Sequence, residues 1–264
     1  MIKLDKVSKK FGTGVFGLTD VSLFIDKGEF VFLVGPTGSG KTTILKLLIR
    51  DILPTEGGIV VSDFDVVNIS KSNLPTLRKK VGVIFQDLKL LFDRTVSENV
   101  SLPLEVAGKK SEEAARLVDD VLEQVGLLDH KDKFPVQLSG GELQKVAIAR
   151  ALTLSPEIIL ADEPTGNLDN DTSWEIINIL TDINKKGTTI LMATHNEDVI
   201  KTLGKRVVHV EKGKIVKDEK NHSSAPSDAS HSAEALRDKK AMDGKKASEG
   251  QGKKDSKKHK EEKE

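Results

Sequence analysis

Residues Gly35, Pro36, Thr37, Gly38, Ser39, Gly40, Lys41, Thr42 and Thr43 combine three glycines with a lysine and three threonines, at the spacing G-x-x-x-x-G-K-[ST]. That set can hold a polyphosphate. The glycines let successive N–H groups converge on phosphate oxygens, Lys41 reaches the outer phosphates, and the Thr42 hydroxyl suits Mg²⁺. The apolar run Phe30 to Val34 precedes the cradle and a helical pattern from Ile44 to Ile49 follows it, the strand-loop-helix context this chemistry needs. A second apolar run, Ile158 to Ala161, ends on Asp162 and Glu163. One carboxylate there can hold a Mg²⁺ shell, and the next can polarise a water for in-line attack on a terminal phosphate. Gln86 follows the run Val81 to Phe85, and His195 follows Thr189 to Thr194. Both polar groups therefore stand at predicted strand ends, where parallel sheets bind ligands.

Leu138-Ser-Gly-Gly-Glu142 opens a second helical pattern with a serine and two glycines, again the build of an anion site. The chain thus holds two phosphate-binding starts about a hundred residues apart.

The elements needed to position these groups are legible as alternation. Phe30–Val34, Val81–Phe85, Ile158–Ala161, Thr189–Ala193 and Val207–Val210 read as strands, with helices beginning near Lys41, Glu113, Gly141 and Thr172. Such alternation predicts an α/β fold with a mainly parallel sheet and helices on both faces. Ile2 to Ile25 reads as a smaller β region with a turn at Gly12 to Gly14. Between Asp87 and Pro135 the text turns helical, with Thr95 and Glu98 spaced as a capping box and Ser111 starting the next helix. After Asp218 no aromatic or β-branched residue remains, and Lys-Lys pairs begin at 239, 245, 253 and 257. Such text cannot bury enough apolar area to offset its ordering entropy. The organisation expected is one domain over 1–218, with a helical part over about 87–155, and a solvated, disordered Lys-rich tail over 219–264.

Composition bounds the function. The chain has 264 residues, 37% of them hydrophobic, and 41 basic against 41 acidic side chains, so no net field argues for nucleic acid. Residues 221–264 carry 11 Lys or Arg against 9 Asp or Glu, too even a mixture to favour anionic lipid. There is no cysteine, hence no disulfide. The N-terminus lacks a signal-peptide core, and no apolar run approaches the roughly 18 residues that cross a bilayer. A role at a membrane would need a partner to provide the span.

The phosphate cradle, Gln86, Leu138 to Glu142, Asp162-Glu163, the segment Gly166 to Asp169 and His195, in this order, resemble an ABC-type ATPase cassette over residues 1–218. The resemblance implies a P-loop NTPase core, an N-terminal antiparallel β subdomain and a helical subdomain carrying the Ser139 motif. It implies ATP and Mg²⁺ as ligands. Phe11 would stack on adenine, where Tyr is the more usual residue. Thr42, Gln86 and Asp162 would serve the metal, Glu163 would be the general base, His195 would contact the γ-phosphate, and Lys41 would hold the phosphates. Ser139, Gly140 and Gly141 would close over ATP bound to a second copy of the chain, with Asp169 near the seam of that homodimer.

Within the family, the stretch Phe85 to Gly108 and Leu48 to Asp51 resemble the branch serving bacterial cell division. That branch works on the cytoplasmic face of the membrane through an integral membrane protein. Cassettes of lipoprotein release and of macrolide or peptide export share Asp162 to Asp169 and are the alternative. Soluble cassettes acting on ribosomes or DNA are a third class, disfavoured by the single P-loop and the absence of a long heptad insert.

Overall fold

A computed structural model describes residues 1–12 and 14–220. Its centre is a six-stranded sheet in the order β10-β9-β3-β8-β7-β6, formed by β3 (Phe30–Val34), β6 (Val81–Ile84), β7 (Ile158–Asp162), β8 (Thr189–Ala193), β9 (Arg206–Glu211) and β10 (Lys214–Glu219). All neighbours are parallel except β9 and β10, which form a hairpin. The inner strands read as unbroken apolar runs because both faces are covered. Phe30, Phe32 and Val34 point to one core, while Val31 and Leu33 point to the other. The first core is closed by α3 (Val96–Val106), α4 (Ser111–Gln124), α5 (Gly140–Leu152) and α6 (Asn170–Lys185). The second is closed by α1 (Lys41–Leu48) and by an antiparallel sheet, ordered β2-β1-β4-β5. Those strands are β1 (Ile2–Lys10), β2 (Phe16–Ile25), β4 (Glu56–Val61) and β5 (Phe64–Asp65).

The alternation expected from sequence matches these elements, with shifts at the ends. β6 stops one residue early, at Ile84, so Phe85 and Gln86 already belong to the loop. The helical text after Asp87 becomes helix only at Val96. There the predicted capping box forms: Thr95 N–H donates to Glu98 Oε2 at 2.7 Å and Glu98 N–H to Thr95 Oγ1 at 3.2 Å. Between Gln86 and that helix the backbone is irregular, with Leu88 and Lys89 both at positive φ. Asn99, fully buried, holds the loop by bonding Leu91 N–H and the carbonyls of Leu91, Arg94 and Thr95. The strands β4 and β5 and the helices α2 (Leu74–Lys79) and α7 (Glu197–Leu203) have no counterpart in the sequence reading. β10 runs to Glu219, one residue past the expected boundary, and the remainder of the expected tail, 221–264, lies outside the described residues. No helix among the described residues is long and apolar enough to cross a membrane.

Candidate active site

The parallel strands carry their functional residues to one edge of the sheet. β3 leads into the cradle, β7 into Asp162 and Glu163, β8 into His195, and β6 into Gln86. In-register pairing of β6 with β7 and of β7 with β8 fixes their order along that edge.

The cradle is built from backbone that only glycine adopts without cost. Gly35, Gly38 and Gly40 sit at φ 150, 78 and 116, and a Cβ on Gly35 would fall 2.0 Å from the carbonyl oxygen of Val210. Gly40 caps α1 with no side-chain bond, which leaves the first N–H groups of that helix open to an anion. Lys41 is only 8% exposed, and its ammonium turns back onto the carbonyls of Gly35 at 2.7 Å and Pro36 at 3.2 Å. Ser39 Oγ is buried with no hydrogen-bond partner. A polyphosphate fits this arrangement, since it supplies the acceptors that the ammonium and the open N–H groups need.

Asp162 is partly buried at the end of β7, and its carboxyl is raised above the ordinary carboxylate value. Burial is the main cause and the neighbouring Glu163 charge adds to it, while the Thr42 hydroxyl and the charges of Lys41 and Lys46 pull the other way. A carboxylate beside a threonine hydroxyl is a hard-oxygen pair, and hard-oxygen donors suit Mg²⁺. Among the described residues no cluster of three or more His, Cys, Asp or Glu side chains could hold a metal alone.

Glu163 departs from strand geometry. It sits at φ 48, a left-handed conformation costly for a glutamate, and is held there by its N–H to the Ala193 carbonyl at 2.9 Å. The kink turns its side chain, 12% exposed, toward His195, whose Nδ1 lies 3.0 Å from Glu163 Oε2. His195 is 72% exposed and also lines a cavity of about 480 Å³ with Gly35 and Pro36. Lys41, Thr42, Asp162, Glu163 and His195 thus surround one place at the sheet edge. Gln86 stands exposed just past β6 on the same edge.

Phe11 is half exposed at the end of β1, with its ring directly over Gly17. Lys9 Nζ lies 5.5 Å from the ring centroid.

Ser139 lies elsewhere. It caps α5 with a complete capping box: its N–H and its hydroxyl both donate to Glu142 Oε2 at 2.7 Å, and Glu142 N–H returns to Ser139 Oγ at 3.3 Å. These bonds hold the Glu142 carboxyl below its ordinary range. Ser139 and Gly140 are exposed, and no hydrogen bond or ion pair among the described residues joins them to the cradle. Gly141 is different: it is buried, and a Cβ there would stand 2.3 Å from Thr172 Cγ2. Thr172 also bonds Asp169 at 2.9 Å through its N–H and 2.6 Å through its hydroxyl. Thr172 therefore locks the start of α5 to the Asp169 cap of α6. Its spacing of three from an N-cap aspartate was the signal available in the sequence.

The ABC transporter family profile matches residues 18–166, from β2 to just past Glu163. The chain belongs to the ABC transporter family. As an ABC cassette it is an ATPase. The cell division ATP-binding protein FtsE of Bacillus subtilis (strain 168) is 47% identical over 219 residues, covering 83% of this chain and 96% of that protein. FtsE of Escherichia coli (strain K12) is 42% identical over 215 residues, covering 81% of this chain and 97% of that protein. Among solved structures, a dimeric bacterial ABC transporter cassette is 37% identical with a TM-score of 0.77, covering 83% of this chain and 98% of that one. A post-hydrolysis dimer of an ATP-binding cassette, bound to ADP and Pi, superposes with a TM-score of 0.77 at 36% identity and with the same coverage. The fold expected from sequence, an ABC cassette with an antiparallel β subdomain, is the fold found.

Proposed function

We propose that the chain is the ATP-hydrolysing subunit of a bacterial cell-division complex of the FtsE type. Two copies would close on two ATP molecules and drive an integral membrane protein of the FtsX type, which relays the closure to peptidoglycan hydrolases. The chain would then sit on the cytoplasmic face of the membrane, held there by that partner.

One observation carries the mechanism: the cradle and the acidic pair converge within one chain, whereas the Ser139 start of α5 is exposed and out of their reach. A second copy related by a two-fold axis supplies the missing half, so the interface is isologous and contains two equivalent sites. Gly35 to Thr43 hold the phosphates of ATP, with Phe11 against the base. Asp162, Thr42 and Gln86 would hold Mg²⁺, which when bound neutralises charge on the transferred phosphoryl group. Glu163 accepts the proton of the attacking water, and His195 keeps the Glu163 carboxylate oriented while facing the γ-phosphate. The attack breaks the bond between the γ-phosphorus and its bridging oxygen, leaving ADP and phosphate. The partner copy's Ser139, Gly140 and Gly141 close over the γ-phosphate, with the Gly140 N–H at the first turn of α5 left open to donate to it. Gly141 contributes the close packing that sets this helix start.

The identity of the membrane partner is tested by capture. A Glu163→Gln protein, added to native membranes with ATP, should retain an FtsX-type membrane protein. Recovery of a solute permease or lipoprotein-release permease instead would overturn the cell-division reading and leave the ATPase mechanism standing.

A further inference from the structure

ATP's two ends are gripped by different parts of the fold: the phosphates by the loop after β3 and, on the reading of Phe11 above, the base by the β1–β2 edge. None of the sequence motifs sets the distance between these grips. Three glycines meet where the two parts touch. Gly213, at φ 76 in the β9–β10 turn, donates its N–H to the Ser39 carbonyl at 2.8 Å and accepts from Thr19 N–H on β2 at 2.8 Å. The hairpin that carries it is clasped at its base by Arg206, which bonds both carboxylate oxygens of Asp218 at 2.8 and 2.7 Å.

The approach is too close for a side chain. A Cβ on Gly213 would lie 2.8 Å from the Gly17 carbonyl oxygen and 3.0 Å from Leu18 Cα. A Cβ on Gly40 would lie 2.9 Å from the same oxygen. On its other side, a Cβ on Gly17 would stand 2.5 Å from Phe11 Cε2. The obstacles differ in kind. Against Gly213 they are backbone, so an added side chain must push β2 and the phosphate loop apart. Against Gly17 the obstacle is a mobile ring, so an added side chain moves Phe11 alone.

We propose that Gly17 and Gly213 are positioning residues of the ATP site, their backbone junction setting the separation between base platform and phosphate cradle. The base half rests on Phe11 being that platform; the phosphate half does not.

Calorimetric binding of Mg²⁺-ATP and of Mg²⁺-tripolyphosphate, which lacks the base, to the full chain separates the two halves. Gly17→Ala should weaken ATP about tenfold, the size of one base–aromatic stack, and leave tripolyphosphate unchanged. The Phe11→Ala and double variants should lose no more. Gly213→Ala should weaken both ligands alike. Gly213→Asn should do the same, because Asn tolerates positive φ but still carries a Cβ. Recovery of binding in Gly213→Asn would mean that turn conformation alone matters, and would overturn the phosphate half. Gly187, at φ 101 with nothing within 4 Å, is the control. Gly187→Ala should lower the melting temperature and spare both affinities, and equal weakening there would reduce the effect to general destabilisation. ATP weakened by Phe11→Ala but not by Gly17→Ala would overturn the base half. If Phe11→Ala itself spares ATP, the platform reading fails and the Gly213 result alone decides.

Discussion

The cradle edge and the start of α5 are both helix N-termini beside glycines, yet they are built on opposite plans. Around the cradle, polar groups are held out of their preferred states: Lys41 is nearly buried against carbonyls, Ser39 Oγ has no partner, Glu163 sits in a left-handed kink, and the Asp162 carboxyl is raised by burial. At Ser139 the capping box closes on itself, since the Ser139 N–H and hydroxyl both donate to the chain's own Glu142 and the Glu142 N–H returns to Ser139 Oγ. The first region is incomplete without a ligand; the second can stand idle. A site that must bind ATP in a single chain needs the first plan. A surface that waits for another chain's phosphate needs the second.

The comparison breaks hardest at Glu163. Replacing its carboxylate by an amide removes the group that accepts the water's proton but keeps the shape beside His195. Glu163→Gln should lower the ATP hydrolysis rate about 10²- to 10⁴-fold, the usual range for a positioned base, with ATP affinity preserved. Steady-state phosphate release and equilibrium ATP binding check the two halves of that statement. Hydrolysis within a few fold of normal would remove Glu163 from the role of base.

The α5 start should show the same split from the other side. Ser139→Arg removes the cap and puts a bulky cation where the second chain's nucleotide would dock, so hydrolysis should fall by about 10²- to 10³-fold. ATP binding to the cradle should stay near normal. A mixture of this protein with Lys41→Ala protein, itself unable to hold phosphates, sharpens the test. Each mixed dimer keeps one intact composite site, formed by the Lys41 of one copy and the Ser139 of the other, so mixing should restore part of the activity. Activity that stayed at the level of the two separate proteins would contradict the two-chain site.

A smaller effect probes how α5 is aimed. Gly141→Ala drives a methyl into Thr172 Cγ2, and overpacking of this kind costs about 1–3 kcal/mol of folding stability. Thr172→Ser deletes that methyl yet keeps the hydroxyl on Asp169, so the double variant Gly141→Ala/Thr172→Ser should regain most of the loss. Chemical denaturation of the four proteins reads the coupling as a double-mutant cycle, and simple additivity would show that the contact does not govern the helix start.

How much of this was legible beforehand follows from where each residue's information resides. β3, β7 and β8 could be read because both their faces are buried, which writes them as unbroken apolar runs. The cradle could be read because positive φ at Gly35, Gly38 and Gly40 demands glycine at fixed spacing. β4 and α2 escaped because Glu56-Gly57-Gly58 and a six-residue helix carrying Pro75 leave little periodic pattern. The Gln86 loop reads as helical text because Asn99, the residue organising it, acts on backbone carbonyls that any sequence would present. The cap half of the Thr172 role is local, three residues from Asp169, but its contact with Gly141 and the roles of Gly17 and Gly213 lie in close approaches between segments far apart in the chain, which no local spacing encodes. Ser139 is legible as a helix start and the family resemblance implies that it serves a second copy's ATP; what the structure adds is its exposure and the capping box that occupies it.

The smallest expected effect tests whether the cradle edge is held at a cost to the fold. The Asp162 carboxyl is raised above its ordinary value of 3.8, so the folded chain binds that proton more tightly than the unfolded chain does. Folding stability contributed by this group therefore falls as pH rises from the ordinary carboxylate value through the raised one, and the penalty persists at neutral pH. Asp162→Asn removes it: without ligand the variant should melt slightly above the parent at pH 7, and the difference should vanish in acid below that window. Mg²⁺-ATP should reverse the order, because binding stabilises only a protein that can hold the complex, and the parent keeps the carboxylate beside Thr42. Thermal melts at the two pH values, with and without Mg²⁺-ATP, give four comparisons. A variant less stable than the parent at neutral pH without ligand would mean that Asp162 supports the fold instead of straining it.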